Sequence, residues 1–460
     1  MLRDKGEGTR QGMTSPMKVI TLGCRLNHYE SAVMKQMADD NGVTNHVIIH
    51  SCAVTHEAER QSRQAVRRAR KRYPHATIVV TGCSAQIHPD MYRAMKDVDM
   101  VVGNDRKTDV SLYRMLATDK GDSAEQRRMD GKDKRALDES LSSSMARSFF
   151  GRVRGFVAVQ HGCDHHCTFC IIPQGRGEHR SMPIDDVVRQ SSLLAQAGAK
   201  EIVLTGVDMA SWGREDGRML GELVEAVLHH VPTVKRWRLS SLDPFPVACD
   251  TRLQALYADH PHMMPYMHLS VQAGDNMVLK RMRRRHCRED VIQLCHGMCE
   301  KREDMVFGAD MIAGFPTESD AMHSRSVSLL EEAGLVLNHI FPYSVRHGTP
   351  AARMPRLERA TCVLRAERLR RHGVALRDAM VRRQIQRGDS SRVLIERVDA
   401  EGRLWARSDS YMPVRIEEAR TGAHMAYGQG DVVSCRFLSV GHDGVIGSIL
   451  GREGETDGGV

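Results

Sequence analysis

Three cysteines fall within eight residues of this chain: Cys163, Cys167 and Cys170, in the run VQHGCDHHCTFCIIP. Their CxxxCxxC spacing lets one loop wrap a corner of a metal cluster, offering three soft thiolates and leaving a fourth metal position open. An open position is what a site needs when the metal itself must bind a substrate. The alternative is a structural zinc loop, which wants a fourth protein ligand, and His161, His165 or His166 could supply it. The triad follows a strand-like apolar run, so it sits at the C-terminal edge of a sheet, where α/β folds build their sites.

A second set is dispersed: Cys24 in ITLGCRLN, Cys52 in VIIHSCAVT and Cys83 in IVVTGCSAQ. Each follows an apolar strand-like run, and in a parallel sheet such strand ends lie side by side, so the three thiols converge on one edge. Gly23 and Gly82 allow the backbone to approach a bulky cluster closely. One buried thiol would be unremarkable core; three in the same structural position favour a second three-thiolate metal site. The chain has twelve cysteines in 460 residues, far below the density of a disulfide scaffold. The start, MLRDKGEGTRQGMTSPMKV, lacks the apolar core of a secretory signal, and no run approaches the ~18–20 apolar residues of a membrane span. A reducing, cytoplasmic setting is therefore expected, with no membrane partner. Cys249, Cys287, Cys295, Cys299, Cys362 and Cys435 show no comparable arrangement and read as ordinary thiols.

The first fifteen or so residues are polar; from Met17 the pattern becomes regular. Runs at Lys18 to Leu22, Val47 to Ile49 and Thr77 to Val80, spaced by stretches long enough for helices, predict a parallel α/β domain, with Arg60 to Arg72 as one helix. The stretch 118–148 is charged, rich in Gly and Ser and almost without large apolar side chains, which marks a linker. Six strand-like runs follow in phase with helical stretches: Phe156 to Gln160, Glu201 to Thr205, Trp237 to Ser240, Met267 to Val271, Phe307 to Ile312 and His339 to Tyr343. They suggest a partial (β/α)6 barrel, not a closed one of eight. An Arg-rich helix is expected from about Arg356 to Gln386. The short alternating runs RVLIERV, RLWARS, MPVRI, DVVSCRFLSV and GVIGSIL then read as a small β-barrel.

Four strand ends carry polar groups or glycine: Thr205, Gly206 and Asp208; Ser240, Ser241 and Asp243; Gln272 and Gly274; Asp310, Ile312, Gly314 and Glu318. Edge position suggests cofactor contact, although such residues also cap helices. The formal charge is +8. Basic residues cluster at Arg60, Arg63, Arg67 and Arg70, along RMRRRH (281–286), and at Arg365, Arg368, Arg370, Arg371, Arg382 and Arg383. Such stripes fit a phosphate backbone, with solvated helix faces as the bland reading.

With aromatic Phe169 before its last cysteine, the CxxxCxxC loop resembles radical S-adenosylmethionine enzymes. Together with Cys24, Cys52 and Cys83, the whole from about residue 17 to 450 is similar to methylthiotransferases, in the order N-terminal domain, radical domain and TRAM domain. LGCRLNHYES, AVTHEAERQSRQAVRRA, DMIAGFPTE and FPYSVRHGTPAARM are most similar to the branch acting on threonylcarbamoyladenosine in tRNA. The isopentenyladenosine branch has a GCQMN-like start and the ribosomal protein branch a GCPKN-like one. LSVQAGDN stands where the family usually has LPLQSGS, and His161 replaces a usual acidic residue.

The resemblance implies an N-terminal methylthiotransferase domain over 15–117, the linker 118–148, a radical core over 149–378 and a TRAM-like RNA-binding β-barrel over 379–451. It implies that Cys163, Cys167 and Cys170 hold a 4Fe-4S cluster whose free iron chelates S-adenosylmethionine. Reductive cleavage then yields a 5′-deoxyadenosyl radical that takes hydrogen from carbon 2 of the modified adenine. Cys24, Cys52 and Cys83 are implied ligands of an auxiliary 4Fe-4S cluster carrying the sulfur to be inserted. Gly206, Ser241, Gln272 and Ile312 are implied S-adenosylmethionine contacts. The implied partners are a tRNA anticodon stem-loop and an electron donor such as flavodoxin or ferredoxin, with no DNA. The alternatives are methylthiolation of isopentenyladenosine or of a ribosomal protein, and a non-catalytic zinc RNA-binding module.

Overall fold

The computed structural model describes residues 16–118, 152–418, 427–441 and 444–452. The chain forms two compact units, Met1–Met145 and Ala146–Val460. The polar start and the stretch read as a linker lie outside the described residues, except Thr118, which ends a helix.

In the first unit, β1 (Lys18–Thr21), β2 (His46–Ser51), β3 (Thr77–Gly82) and β4 (Met100–Val101) form one sheet in that order. All pairings are parallel. The first three are the predicted runs; β4, two residues long, is too short to leave a periodic signal. Strand side chains alternate between two cores. Ile48 and Val79 pack with Met34, Leu112 and Tyr113 on one face. Val47, Ile49, Ile78 and Val80 pack with Val66 and Tyr92 on the other. The arginine-rich helix starts at His56, four residues before its first arginine, because Thr55 caps it by accepting from the Ala58 amide at 3.1 Å.

The second unit opens with β5 (Arg154–His161), β6 (Arg180–Ser181), β7 (Glu201–Gly206), β8 (Trp237–Leu239), β9 (Tyr266–Gln272), β10 (Val306–Ala313) and β11 (Leu335–Pro342). They pair as β6-β5-β7-β8 and β11-β10-β9. Parallel bridges Trp237 to Met263 and Leu242 to Leu269 join β8 to β9. Apart from the short antiparallel β6, this is the expected six-stranded partial barrel. Val157, Val159, Leu204, Leu239, Leu269, Ala309 and Met311 face the helical layer. The alternate residues, among them Gln160, Glu201, Arg238, His268 and Asp310, therefore face the lumen, which is unusually polar. β11 starts at Leu335, before the predicted His339, since the apolar LVL run extends the strand.

A 29-residue helix, Arg359–Arg387, packs on β11 and runs continuously past residue 378 into contact with the last domain. There β12 (Ser390–Val398), β13 (Leu404–Ser408), β14 (Pro413–Glu418), β15 (Val432–Gly441) and β16 (Gly444–Arg452) close a barrel in the order β12-β13-β14-β16-β15. Its turn between β13 and β14 closes the N-terminal base of the larger barrel. Tyr411 stacks on Tyr266 with ring centroids 4.7 Å apart. Arg238 donates to the carbonyls of Ser408 and Asp409, each at 2.8 Å.

Candidate active site

Gln160, at the end of β5, fixes the cysteine loop. Its Nε2 donates to the carbonyls of His161 at 2.7 Å and Gly162 at 2.8 Å, while its Oε1 accepts from the Val207 and Asp208 amides at 2.9 and 2.7 Å. One amide side chain thus ties the loop after β5 to the loop after β7. Gly162 has φ +66°, and a Cβ there would lie 1.7 Å from the Glu178 carbonyl oxygen, so only glycine fits. The Cys163 amide donates to the Gly177 carbonyl at 3.0 Å, and Thr168 Oγ1 donates to the Arg281 carbonyl at 2.8 Å.

The donor set matches a cluster corner. All three cysteines are half-buried. Burial pushes the Cys163 thiol up to about 12, with Asp208, Cys170 and Cys167 adding to the effect. A thiolate at Cys163 therefore needs a compensating positive charge nearby. Arg284 supplies part of it, donating to Cys167 Sγ at 3.5 Å and to the Ser270 carbonyl at 2.8 Å. Arg284 and Arg285 both reach Asp243 Oδ2 at 3.1 Å. Burial would raise the Asp243 carboxyl, but His286 and the two guanidinium groups outweigh it and hold the group ionised. His165 Nε2 lies 2.7 Å from Asp208 Oδ2.

Gly206, Ser241, Gln272 and Ile312 lie at or just after the C-terminal ends of β7, β8, β9 and β10, the same edge as the cysteine loop. Gly206 lies against Gln160: a Cβ there would meet Gln160 Oε1 at 3.0 Å. Gln272 has φ +72°. Ile312 packs in a cluster that includes Phe169 of the cysteine loop. Ser241 Oγ donates to Asp310 Oδ2 at 3.1 Å. Glu318 and Gly274 serve the scaffold instead: Glu318 accepts from the Gly314 amide at 2.9 Å and from Arg365 at 2.8 Å, and the Gly274 amide donates to Ser326 Oγ at 2.9 Å.

In the first unit, Cys24, Cys52 and Cys83 follow β1, β2 and β3 at one sheet edge. A Cβ on Gly23 would lie 2.8 Å from Cys52 Sγ, and one on Gly82 would lie 2.4 Å from the Ser51 carbonyl oxygen. The three cysteine turns therefore pack directly on one another, as the shared strand-end position predicts. Asn27 Nδ2 bridges two of them, donating to the Leu22 carbonyl at 2.7 Å and the Ser51 carbonyl at 3.3 Å. Buried Lys107 pairs with Glu30 at 2.7 Å and donates to Asn104 Oδ1 at 2.7 Å, and Asn104 Nδ2 lies 4.0 Å from Cys83 Sγ. These three supporting residues carry no sequence signal beyond Gly103-Asn104 after a short apolar run.

The basic stripes divide. Arg60 and Arg67 are exposed, but Arg70 donates to the carbonyls of Pro74 at 3.1 Å and Ala76 at 2.9 Å. Arg284 of RMRRRH braces the cysteine loop through Cys167 while Arg285 reaches Asp243 and Ser211, and Arg365 is buried against Glu318. Arg368, Arg370, Arg371, Arg382 and Arg383 are exposed on their helix. Sequence reading also passed over Gln160, His268 and His339, because lone polar residues inside apolar strands show nothing of the face they occupy.

Residues 157–330 match the Radical SAM superfamily, and residues 17–103 match a family described as uncharacterized protein family UPF0004. The chain is 41% identical over 414 residues to the threonylcarbamoyladenosine tRNA methylthiotransferase MtaB of Rickettsia prowazekii, covering 90% of this chain and 93% of that protein. It is 34% identical over 348 residues to the protein of the same name from Aquifex aeolicus, covering 73% and 82%. Among solved structures, the radical S-adenosylmethionine methyltransferase TsrM from Kitasatospora setae superposes with a TM-score of 0.50 at 14% identity, covering 74% of this chain and 77% of that one, a likeness of fold alone.

Proposed function

Because this chain belongs to the threonylcarbamoyladenosine tRNA methylthiotransferase family, we propose that it inserts sulfur and a methyl group at carbon 2 of N6-threonylcarbamoyladenosine beside the anticodon of tRNA, converting t6A to ms2t6A. The observation that carries this reading is the pair of cysteine triads, each gathered at the C-terminal edge of a parallel sheet.

Cys163, Cys167 and Cys170 would hold one 4Fe-4S cluster, with Gly206, Ser241, Gln272 and Ile312 contacting S-adenosylmethionine at the same barrel edge. When bound, that pair supplies one-electron chemistry, which an unactivated aromatic C–H bond requires because acid and base groups cannot open it at neutral pH. The chain's own share is positioning. Gln160 and Arg284 lock the cysteine loop, the barrel walls exclude water, and the lumen receives a base turned out of its stack. Cys24, Cys52 and Cys83 would hold the auxiliary cluster, with Asn27, Asn104 and Lys107 shaping its bed. The C-terminal barrel and the exposed arginines 368, 370, 371, 382 and 383 suit the tRNA backbone, and flavodoxin or ferredoxin is the class of electron donor.

Anaerobic reconstitution tests this. Intact protein should bind about eight irons, two clusters of four. Cys24→Ala should retain about four and still cleave S-adenosylmethionine while inserting no sulfur. Iron near four in the intact protein, or a colourless protein with stoichiometric zinc, would overturn the two-cluster assignment.

A further inference from the structure

The barrel lumen holds a polar cluster that none of the roles above uses. Asp310 on β10 stands in register with His339 on β11. Asp310 Oδ1 lies 3.1 Å from His268 Nε2 and 3.2 Å from His339 Nδ1, and its other oxygen accepts from Ser241. Tyr266 O–H meets His268 Nδ1 at 2.7 Å, so the ring proton of His268 belongs on Nε2, facing the carboxylate. Burial would raise the Asp310 carboxyl; the hydrogen bonds from His268 and His339 outweigh it, and the group stays ionised. His268 is 2% exposed, whereas the His339 side chain is 61% exposed on the edge strand β11. With Nδ1 turned to Asp310, His339 Nε2 has no partner among the described residues.

A buried charged cluster is a poor way to fill a lumen, since apolar side chains of the same volume would stabilise it as well or better. An imidazole backed by an ionised carboxylate, with its outer nitrogen open, is instead a device for presenting a charge-assisted donor. Resting on the functional reading above, we propose that His268, Asp310 and His339 form the subsite that selects the substrate's N6 arm, the threonyl carboxylate meeting a His339 imidazolium that donates Nδ1–H to Asp310 and Nε2–H to the substrate. The threonylcarbamoyl arm ends in an anionic carboxylate and a hydroxyl, while an isopentenyl arm offers no polar atom. A site built to pair with polar groups discriminates strongly against a ligand that lacks them.

The test uses reconstituted full-length enzyme and three anticodon stem-loop RNAs, identical except for position 37: t6A, its methyl ester, and unmodified adenosine. His339→Phe should lower kcat/KM on the t6A RNA by about 100-fold, chiefly through KM, and erase the preference for acid over ester. His339→Gln, which keeps a neutral donor, should fall between. Iron content and dithionite-driven cleavage of S-adenosylmethionine should remain at wild-type level in both. Wild-type discrimination between acid and ester in His339→Phe would overturn the proposal. So would one equivalent of a non-iron divalent metal in the wild type that is lost in His339→Phe, since the three side chains also suit such an ion. A wild-type enzyme that acts on none of the three RNAs refutes the functional reading itself, a result separable from both.

Discussion

At the scale of single residues, the site depends on groups that are not themselves ligands. Arg284 touches a cysteine sulfur, a backbone carbonyl and a buried carboxylate at once. Replacing it with leucine strips Asp243 of one guanidinium while the carboxylate stays buried. Arg284→Leu should cost ~3 kcal/mol of stability, as expected when a buried pair loses a partner, and should lower cluster occupancy. Chemical denaturation and iron analysis read the two effects separately. Gly162 is more stringent, because both its φ of +66° and the Glu178 carbonyl exclude a side chain. Gly162→Ala should leave a folded protein with iron reduced from about eight to about four per chain. Full iron loading in that variant would show that the loop can be rebuilt. Neither residue was legible as a site residue. Arg284 lies in a run of arginines that looks like a phosphate stripe, and its role follows from a fold that brings Cys167 and Asp243 to it from distant parts of the sequence.

At the scale of elements, the strand ends carry the chemistry. The sequence shows Cys24, Cys52 and Cys83 each just after an apolar run, and parallel pairing turns that repeat into convergence because adjacent strands end together, while Cys163, Cys167 and Cys170 share one loop after a single run. Strand ends are readable for that reason. Strand interiors are not: His268, Asp310 and His339 meet across three strands whose register comes only from the folded sheet. The two-residue β4 was invisible for want of length, yet the turn after it delivers Asn104 and Lys107 to the sheet edge that carries Cys83. Lys107→Met should leave buried Glu30 and half-buried Asn104 without their cation. The expected outcome is a lower midpoint of thermal unfolding and weaker retention of the second set of irons, measured by chelator challenge.

At the scale of the second unit, the small barrel is locked beneath the large one by charge. Glu201 is fully buried and lies 2.9 Å from Arg238, 3.1 Å from Arg236 and 3.9 Å from Arg154. Burial alone would raise its carboxyl; the three arginines reverse that and bring it down to about 2 from an ordinary 4.5. A depressed carboxyl stabilises the fold above its unfolded pKa, and that stability is lost as pH falls through the folded value. Glu201→Gln should therefore be less stable than wild type by on the order of 3 kcal/mol above pH 4.5, with the gap closing toward pH 2. Unfolding curves across that range check the sign. The alternating runs of the last domain made its barrel legible, but its seat on the larger barrel was not, since that seat rests on Tyr411, on backbone carbonyls of a turn, and on ion pairs of Arg154 with Glu396 and Arg236 with Asp409.

The account stands on one reaction divided between two cysteine triads. The direct measurement is nucleoside mass spectrometry after reconstituted enzyme, reductant and S-adenosylmethionine act on an anticodon stem-loop containing t6A. The predicted result is ms2t6A from wild type, with Cys24→Ala forming 5′-deoxyadenosine but no methylthio product and Cys163→Ala forming neither. Product formed by Cys24→Ala at the wild-type rate, or wild type that leaves t6A unchanged while converting isopentenyladenosine, would contradict it.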